Sequence, residues 1–578
     1  MDAIKSFKGY GKISEIADRQ FRRTTRRRLV LIAASAVVFL VILIAVVAAV
    51  SKRADGPPSA ASVADSIRAM CSVTRYPSSC FSSISSAKGA NQTRDPEELF
   101  KTSLTVAVDA VAAASSAAAG FQLPANDKRL AAALRNCGVL FDSAIGHLND
   151  SLSLMTPAPG EPLLNASKID DLRTWLSAAV TDHEACLDGF EGTTGSLRDK
   201  MEEAMANSTE YVSNSLAIAT GIIGVMETLN FRLHRKLLSL SFSSARYPRW
   251  ISGEQRRGLQ QGAAAGWKPN VTVAVDGSGQ VKSIMEAIDL VPQKSAEAFV
   301  IYVKEGVYEE NVVVEKNKWN VIMYGDGMYK SMVEGKLNFV DGTPTFSTAT
   351  FSVAGKGFMA IDMGFKNSAG PEKHQAVALR SSADRSVFFR CSFDGYQDTL
   401  YAHSLRQFYR DCDVAGTVDF ILGDAAVIFQ GCKILPRQAL PNQQNTITAQ
   451  GKSDPNENTG ISIQGCVVRP FDDMTSPTYL GRPWKDYSTT IIMQSELGSV
   501  VKPAGWLPWE VGTEPPSTIT YAEYENTGPG SSVARRVKWP GYNPLLSTTE
   551  ASKYTVESFI KGGEWIPANV VQFQSSLG

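Results

Sequence analysis

The sequence predicts a multidomain chain with an N-terminal transmembrane helix, an all-α four-helix bundle and a C-terminal all-β solenoid. Three observations carry this reading. Leu29–Val50 is a 22-residue apolar run whose only polar member is Ser35. Residues from about 62 to 220 repeat apolar side chains at helical spacing, with little Gly or Pro inside each segment. VFFRCSFDGYQDTL and QFYRDCDVAGTVDFI then place Asp398 and Asp419 at the same offset, seven residues after Cys391 and Cys412. That repeat continues through VIFQGC, ending at Cys432, and ISIQGC, ending at Cys466. An apolar–cysteine unit that recurs every 20 to 21 residues over three coils, Cys391 to Cys432, marks a solenoid.

With 578 residues, 44% of them apolar and 20% charged, the chain is globular and too long for one core. Its formal net charge of zero gives no support for a nucleic-acid partner. Positive charge is concentrated in the tail 1–28, where Arg19, Arg22, Arg23, Arg26, Arg27 and Arg28 precede the apolar run. Residues 29–50 are long enough to cross a bilayer and exceed the 7–15 residues of a secretory h-region. The arginines favour a cytosolic tail, a signal anchor and a lumenal remainder. All eight cysteines follow the anchor, an even number suited to an oxidising compartment. Asn91, Asn149, Asn165, Asn207 and Asn270 begin Asn-X-Ser/Thr sequons, also beyond it. The expected location is the secretory pathway, as a membrane-anchored precursor.

After the linker 51–61, the bundle spans 62–220. Cys71 and Cys80 are close enough to staple a hairpin, and Cys137 and Cys186 to tie two long helices. CSVTRYPSSC, RNCGVLFDSAIGHL and TWLSAAVTDHEACLDGF together resemble the inhibitor-like pro-region that precedes plant pectin methylesterases. Residues 221–264 are polar and Gly/Ser-containing, with basic pairs at Arg235-Lys236 and Arg256-Arg257. Each pair is followed closely by leucine and resembles the sites at which that family is processed by a protease.

From 265 to 578 short β-branched and aromatic runs are split by Gly, Asn and Asp, which reads as many short strands with regular turns. If each period is one coil, equivalent positions stack about 4.7–4.9 Å apart, so Asp398 and Asp419 become neighbours on one face. GYQDTLYAHSLRQFY, GTVDFILGDAA and YLGRPWKDYST stand in the order and spacing of pectin methylesterases, and the chain resembles that family over about 265–575. The resemblance implies a right-handed parallel β-helix with methyl-esterified pectin in a shallow cleft along it. It further implies maturation to an enzyme of the cell wall, open to control by a proteinaceous inhibitor.

Hydrolysis of a methyl ester needs a nucleophile, a proton donor for methanol and an oxyanion stabiliser. With five histidines and no Gly-X-Ser-X-Gly elbow, carboxylates must supply the chemistry. Carried over from the family motifs, Asp419 is the nucleophile, Asp398 the proton donor and later base, and Gln397 the transition-state stabiliser. Arg482 holds Asp419 ionised, separating the two protonation states. Gln375, Trp484 and Thr345 join Arg482 as substrate contacts. The family resemblance also points to a Cys412–Cys432 disulfide. On geometry alone, Cys391 competes for Cys412. Leu422 departs from the family, which usually has Phe there.

An Asp in a solenoid turn is ordinarily a solvated Asx-turn residue; two in register with matching motifs are not. His403 reads as structural, since the carboxylates already supply acid and base. No cofactor is implied, and no cysteine or histidine spacing resembles a metal site. Two rivals remain: a pectin-depolymerising β-helix glycosidase or lyase, for which paired carboxylates would also serve, and a non-catalytic wall-binding inhibitor protein.

Overall fold

The computed structural model describes residues 60–88, 93–122, 127–156, 166–230 and 268–578. The expected cytosolic tail 1–28 and signal anchor 29–50, both basic pairs, Asn91 and Asn165 lie outside them. Ala64–Gly578 form one unit.

Among the described residues six helices come first: α1 (Ala60–Cys71), α2 (Pro77–Ser86), α3 (Pro96–Ala119), α4 (Lys128–Leu154), α5 (Ala166–Asp188) and α6 (Leu197–Asn230). The last four pack in a closed cycle, α3 on α4, α4 on α5, α5 on α6 and α6 on α3. Asp95 and Asp127 cap α3 and α4, their side chains accepting from Glu97 and Leu130 N–H. The buried stripe Phe100, Leu104, Ala107, Val111, Ala114 and Ala118 faces α3 into the bundle. Among the described helices α3 alone is long and apolar enough to span a bilayer, but that stripe explains its composition. Helix α6 runs past residue 220, where the sequence predicted the linker to start. Disulfides join Cys71 to Cys80, and Cys137 of α4 to Cys186 of α5.

The C-terminal region is three parallel sheets of 11, 8 and 7 strands, visited in turn by each coil. One coil shows the pattern. Arg406–Arg410 pairs in parallel with Ser386–Phe389 before it and Ala426–Gln430 after it. Asp413–Gly416 lies in the second sheet and Ile421–Gly423 in the third. The corner between the first two sheets is a left-handed residue on successive coils: Arg390, Asp411, Gly431, Gly465 and Gln494, with φ between 50° and 67°. Each directly precedes a buried small side chain, Cys391, Cys412, Cys432, Cys466 or Ser495. This corner is the physical source of the cysteine repeat.

Inside, aromatic rings stack coil on coil: Phe388 on Tyr409 at 4.7 Å, and Tyr409 on Phe429 at 4.6 Å. The hydrophobic clusters of this domain contain no side chain from the bundle, so its core is closed without it.

The expected Cys412–Cys432 bridge is not formed; Cys391, Cys412, Cys432 and Cys466 are all buried free thiols. Equivalent positions of a parallel stack project side by side about 4.7–4.9 Å apart, whereas bridged Cβ atoms sit about 3.8 Å apart. Each thiol already has partners. Cys432 Sγ accepts from Cys412 N–H at 3.4 Å and donates to Tyr409 O at 3.5 Å, and Cys466 repeats this with Cys432 N–H and Phe429 O.

Candidate active site

Leu400 pairs with Ile421 in the third sheet, so Asp398 and Asp419, each two residues earlier, occupy equivalent positions on adjacent coils. Asp398 N–H donates to Val418 O at 3.0 Å. Both aspartates are left-handed, with φ of 61° and 49°, at the corner that leads into the third sheet. A non-glycine residue there carries a conformational cost that the flanking strands must hold.

The two carboxylates have opposite surroundings. Asp419 accepts from Arg482 Nε at 2.9 and 3.2 Å and from Nη2 at 2.6 Å. It also accepts from Thr446 Oγ1 at 2.6 Å, while its own N–H donates back to that hydroxyl at 2.9 Å. Asp398 is 6% exposed and has no arginine ion pair among the described residues. Burial, then the Asp419 charge, then Glu191 of the bundle push its carboxyl well above the usual range, against a smaller opposing effect of Arg482. Burial thus favours the protonated form of Asp398, beside an Asp419 paired with Arg482.

Asp398, Asp419, Gln397, Gln375, Thr345, Trp484, Arg482 and Leu422 line a single cavity of about 140 Å³. A larger cavity of about 870 Å³ between bundle and β-domain contains none of these residues. His403 is fully buried away from the cleft. Its Nδ1 lies 3.0 Å from Ser382 Oγ, and burial drives the ring well below its usual basicity. It packs edge-on against Phe346 and Tyr401. Asn149, Asn207 and Asn270 are exposed. Among the described residues no group of three or more His, Cys, Asp or Glu is arranged for a metal.

Sequence reasoning missed Trp509, which lines the cavity, and Thr446, which holds Asp419 from behind it. Trp509 lies under the Arg482 guanidinium at 4.2 Å and stacks on Trp484 at 6.2 Å; no motif signals it. Thr446 was findable in principle, since Thr448 pairs with Ile421 and Thr446 therefore sits opposite Asp419. The insertion 437–444 lengthens that coil and hides the register.

The bundle forms one wall of the cavity through Ala185, Asp188, Gly189 and Glu191. Around it, Lys485 Nζ meets Asp188 at 2.8 Å and Glu184 at 3.1 Å. Thr181 Oγ1 donates to Asp424 at 2.8 Å, and Asp171 bridges Arg385 and Arg406 at 2.9 and 2.7 Å. The loop 451–459, a second insertion in the solenoid, holds α5 and α6 through Asn458–Thr174 at 3.0 Å and Ser213–Asp454 at 2.5 Å.

Comparison with known proteins follows the same division of the chain. The Pectinesterase family profile matches residues 270–563, and that of the Plant invertase/pectin methylesterase inhibitor family matches 65–218. Pectinesterase 3 of Phaseolus vulgaris is 53% identical over 597 aligned residues, covering all of both chains. The chain belongs to the pectinesterase family. Pectinesterase 1 of Arabidopsis thaliana is 51% identical, again over the full length of both. Pectin methylesterase from carrot matches with a TM-score of 0.52 at 46% identity, covering 54% of this chain and 98% of its own. This pectinesterase removes methyl esters from pectin, and an inhibitor-like region precedes its catalytic domain. Depolymerisation and a purely non-catalytic role are not favoured by these relatives.

Proposed function

We propose that de-esterification proceeds through a covalent intermediate on Asp419, with Asp398 moving the protons. The Asp419 carboxylate attacks the ester carbonyl carbon, and the oxyanion accepts hydrogen bonds from the Gln397 and Gln375 amides. Collapse expels methoxide, which takes the Asp398 proton and leaves as methanol. The ionised Asp398 then draws a proton from water, whose oxygen attacks the acyl carbon. Asp419 departs as a carboxylate and the product is a galacturonate. Arg482 keeps Asp419 ionised and aimed, and Trp484 and Thr345 hold the sugar. The observation that carries this reading is the split environment of the pair: arginine on Asp419, burial on Asp398.

The bundle acts as an internal inhibitor, a reading supported by Asp188 and Glu191 standing in the cavity wall. Tethering raises its local concentration, so a modest contact can hold the cleft shut. The chain is organised as tail 1–28, signal anchor 29–50, linker 51–61, bundle 62–220, processing linker 221–264 and a right-handed β-helix 265–578, the hand that parallel crossovers adopt. Cleavage at Arg235-Lys236 or Arg256-Arg257 would free a glycosylated precursor's esterase for the cell wall.

The test is methanol release from pectin by the 259–578 fragment against the full chain. The fragment has a closed core, and the carrot chain is a free-standing counterpart. Active fragment and weak full chain support inhibition; equal activity removes it. An inactive, folded fragment overturns the catalytic reading.

A further inference from the structure

The corner that leads into the first sheet carries a cation on four successive coils. Lys294 precedes the strand Phe299–Val303, Lys316 precedes Val321–Gly325, Lys356 precedes Met359–Ile361 and Arg385 precedes Ser386–Phe389, four neighbours in that sheet. The backbone is left-handed there at Lys294, Asn320, Gly357 and Arg385, with φ between 50° and 73°. On the next coil Leu405 takes the place, and the row ends. Backbone hydrogen bonds join one corner to the next. Lys294 N–H donates to Asn317 O at 2.6 Å, Asn320 N–H to Lys356 O at 2.9 Å and Gly357 N–H to Asp384 O at 2.9 Å. The four side chains therefore rise from backbone stacked at about 4.7–4.9 Å per coil. None of them lines the catalytic cavity.

The β-domain does not neutralise this row itself. Among the described residues Lys294 and Lys356 have no ion pair, and Lys316 and Arg385 pair with the bundle, through Asp142 of α4 and Asp171 of α5. Lys356 Nζ sits 3.7 Å from the centre of the Trp319 ring, whose Nε1 donates to Lys316 O at 2.8 Å. Asp384, beside Arg385, is taken by Arg406 at 2.6 Å. Glu297 and Glu315 flank the corner, but neither lines the 870 Å³ cavity between the domains. All four cations do, and Asp150 and Asp171 face them from the bundle side. Burial raises the Asp150 carboxyl, and Lys356 and then Lys294 pull it back most strongly. Asp142 and Asp150, eight residues apart, lie on one face of α4. A row of carboxylates thus covers a row of cations.

We propose that Lys294, Lys316, Lys356 and Arg385 form a strip that binds de-esterified pectin outside the catalytic cleft, and that Asp142, Asp150 and Asp171 cover it in the precursor. Four like charges in a row repel one another once the bundle leaves, and a polyanion relieves several of them at once. Each ester hydrolysed adds a carboxylate to the polymer, so the strip takes product in preference to substrate. It would hold the enzyme on wall polymer that has already been de-esterified. The inference requires release of the bundle, as read above, but not the division of roles between Asp398 and Asp419.

The experiment measures binding by the 259–578 fragment carrying Asp419→Asn, so that the ester content of the polymer stays fixed. The probes are polygalacturonate and fully methyl-esterified pectin. Polygalacturonate should bind more tightly, and high salt should remove the difference. Lys294→Gln, Lys316→Gln and Lys356→Gln together should weaken polygalacturonate binding about tenfold, the size of three exposed ion pairs. Arginine at all three positions should retain it. In the fragment with Asp419 intact, the three glutamines should leave kcat/KM on a short methyl-esterified oligogalacturonide unchanged, because that substrate is confined to the cleft. Polygalacturonate affinity unchanged by the glutamines overturns the strip. So does an equal loss of oligogalacturonide turnover, which would place the lysines in the cleft. Full chain that binds polygalacturonate as tightly as the fragment overturns the cover. A folded fragment that binds as expected but releases no methanol supports the strip while overturning the catalytic reading.

Discussion

Arg482 reaches both oxygens of Asp419, from Nε at 2.9 Å and Nη2 at 2.6 Å, across 63 residues of sequence. Asp398, one coil earlier on the same corner, has no such partner and is 6% exposed. Two chemically identical side chains are thereby given different surroundings by packing alone. In the proposed mechanism that asymmetry lets one attack while its neighbour delivers a proton.

Asp419→Asn and Asp398→Asn should each lower methanol release by roughly 10²–10⁴-fold, with thermal midpoints close to the parent. Asn preserves shape but neither attacks nor carries the proton. Retention of more than a tenth of the parent rate in Asp419→Asn would end its assignment as nucleophile.

Thr446→Val removes the hydroxyl that donates to Asp419 and accepts its N–H. Losing a hydrogen bond to a charged group costs about 1.5–3 kcal/mol, so kcat should fall about tenfold or more. Thr446→Ser should restore it. An unchanged kcat in Thr446→Val would leave Thr446 a packing residue.

Docking of the bundle should weaken as pH rises. Burial, with Asp188 adding to it, raises the Glu191 carboxyl above its usual range against a smaller effect of Arg129, and Asp398 is raised in the same state. A group raised in the docked state takes up a proton on docking. Its contribution is complete below the undocked value, near 4, and is lost as pH climbs through the raised one. Dissociation of the two pieces after linker cleavage, followed across that window, should show this slope, and Glu191→Gln should flatten it. A constant still increasing in affinity with pH would contradict the sign.

Asp171→Ala should loosen the same interface by leaving Arg385 unpaired and Arg406 with Asp384 alone. Truncating one partner of a buried charge pair costs about 2–5 kcal/mol, so the cleaved bundle should dissociate at least about tenfold more readily. Unchanged dissociation would shift the docking energy to the loop 451–459.

Alkylation of the denatured, unreduced protein should label Cys391, Cys412, Cys432 and Cys466 and spare the other four. The native protein should resist labelling, since all four thiols are buried. A Cys412–Cys432 peptide pair in the unreduced digest would restore the bridge that the family resemblance implied.

The solenoid was legible in the sequence because a coil repeats. The left-handed corner before each small buried residue recurs at Cys391, Cys412, Cys432 and Cys466, and the register of Asp398 with Asp419 follows by counting. The bundle was legible for a similar reason, as helical periodicity is local, although α6 outran its expected end. Thr446, Trp509 and Lys485 were not legible in their roles. Thr446 is displaced from simple register by an insertion, and Trp509 reaches Arg482 from a loop without a repeat. Lys485 acquires its acidic partners only when a helix about 300 residues away lies across it. Backbone periodicity is a near-neighbour property that composition and spacing express directly. The partner of a charge is decided by which surfaces meet in three dimensions, and so is the protonation of Asp398, which depends on everything packed around it.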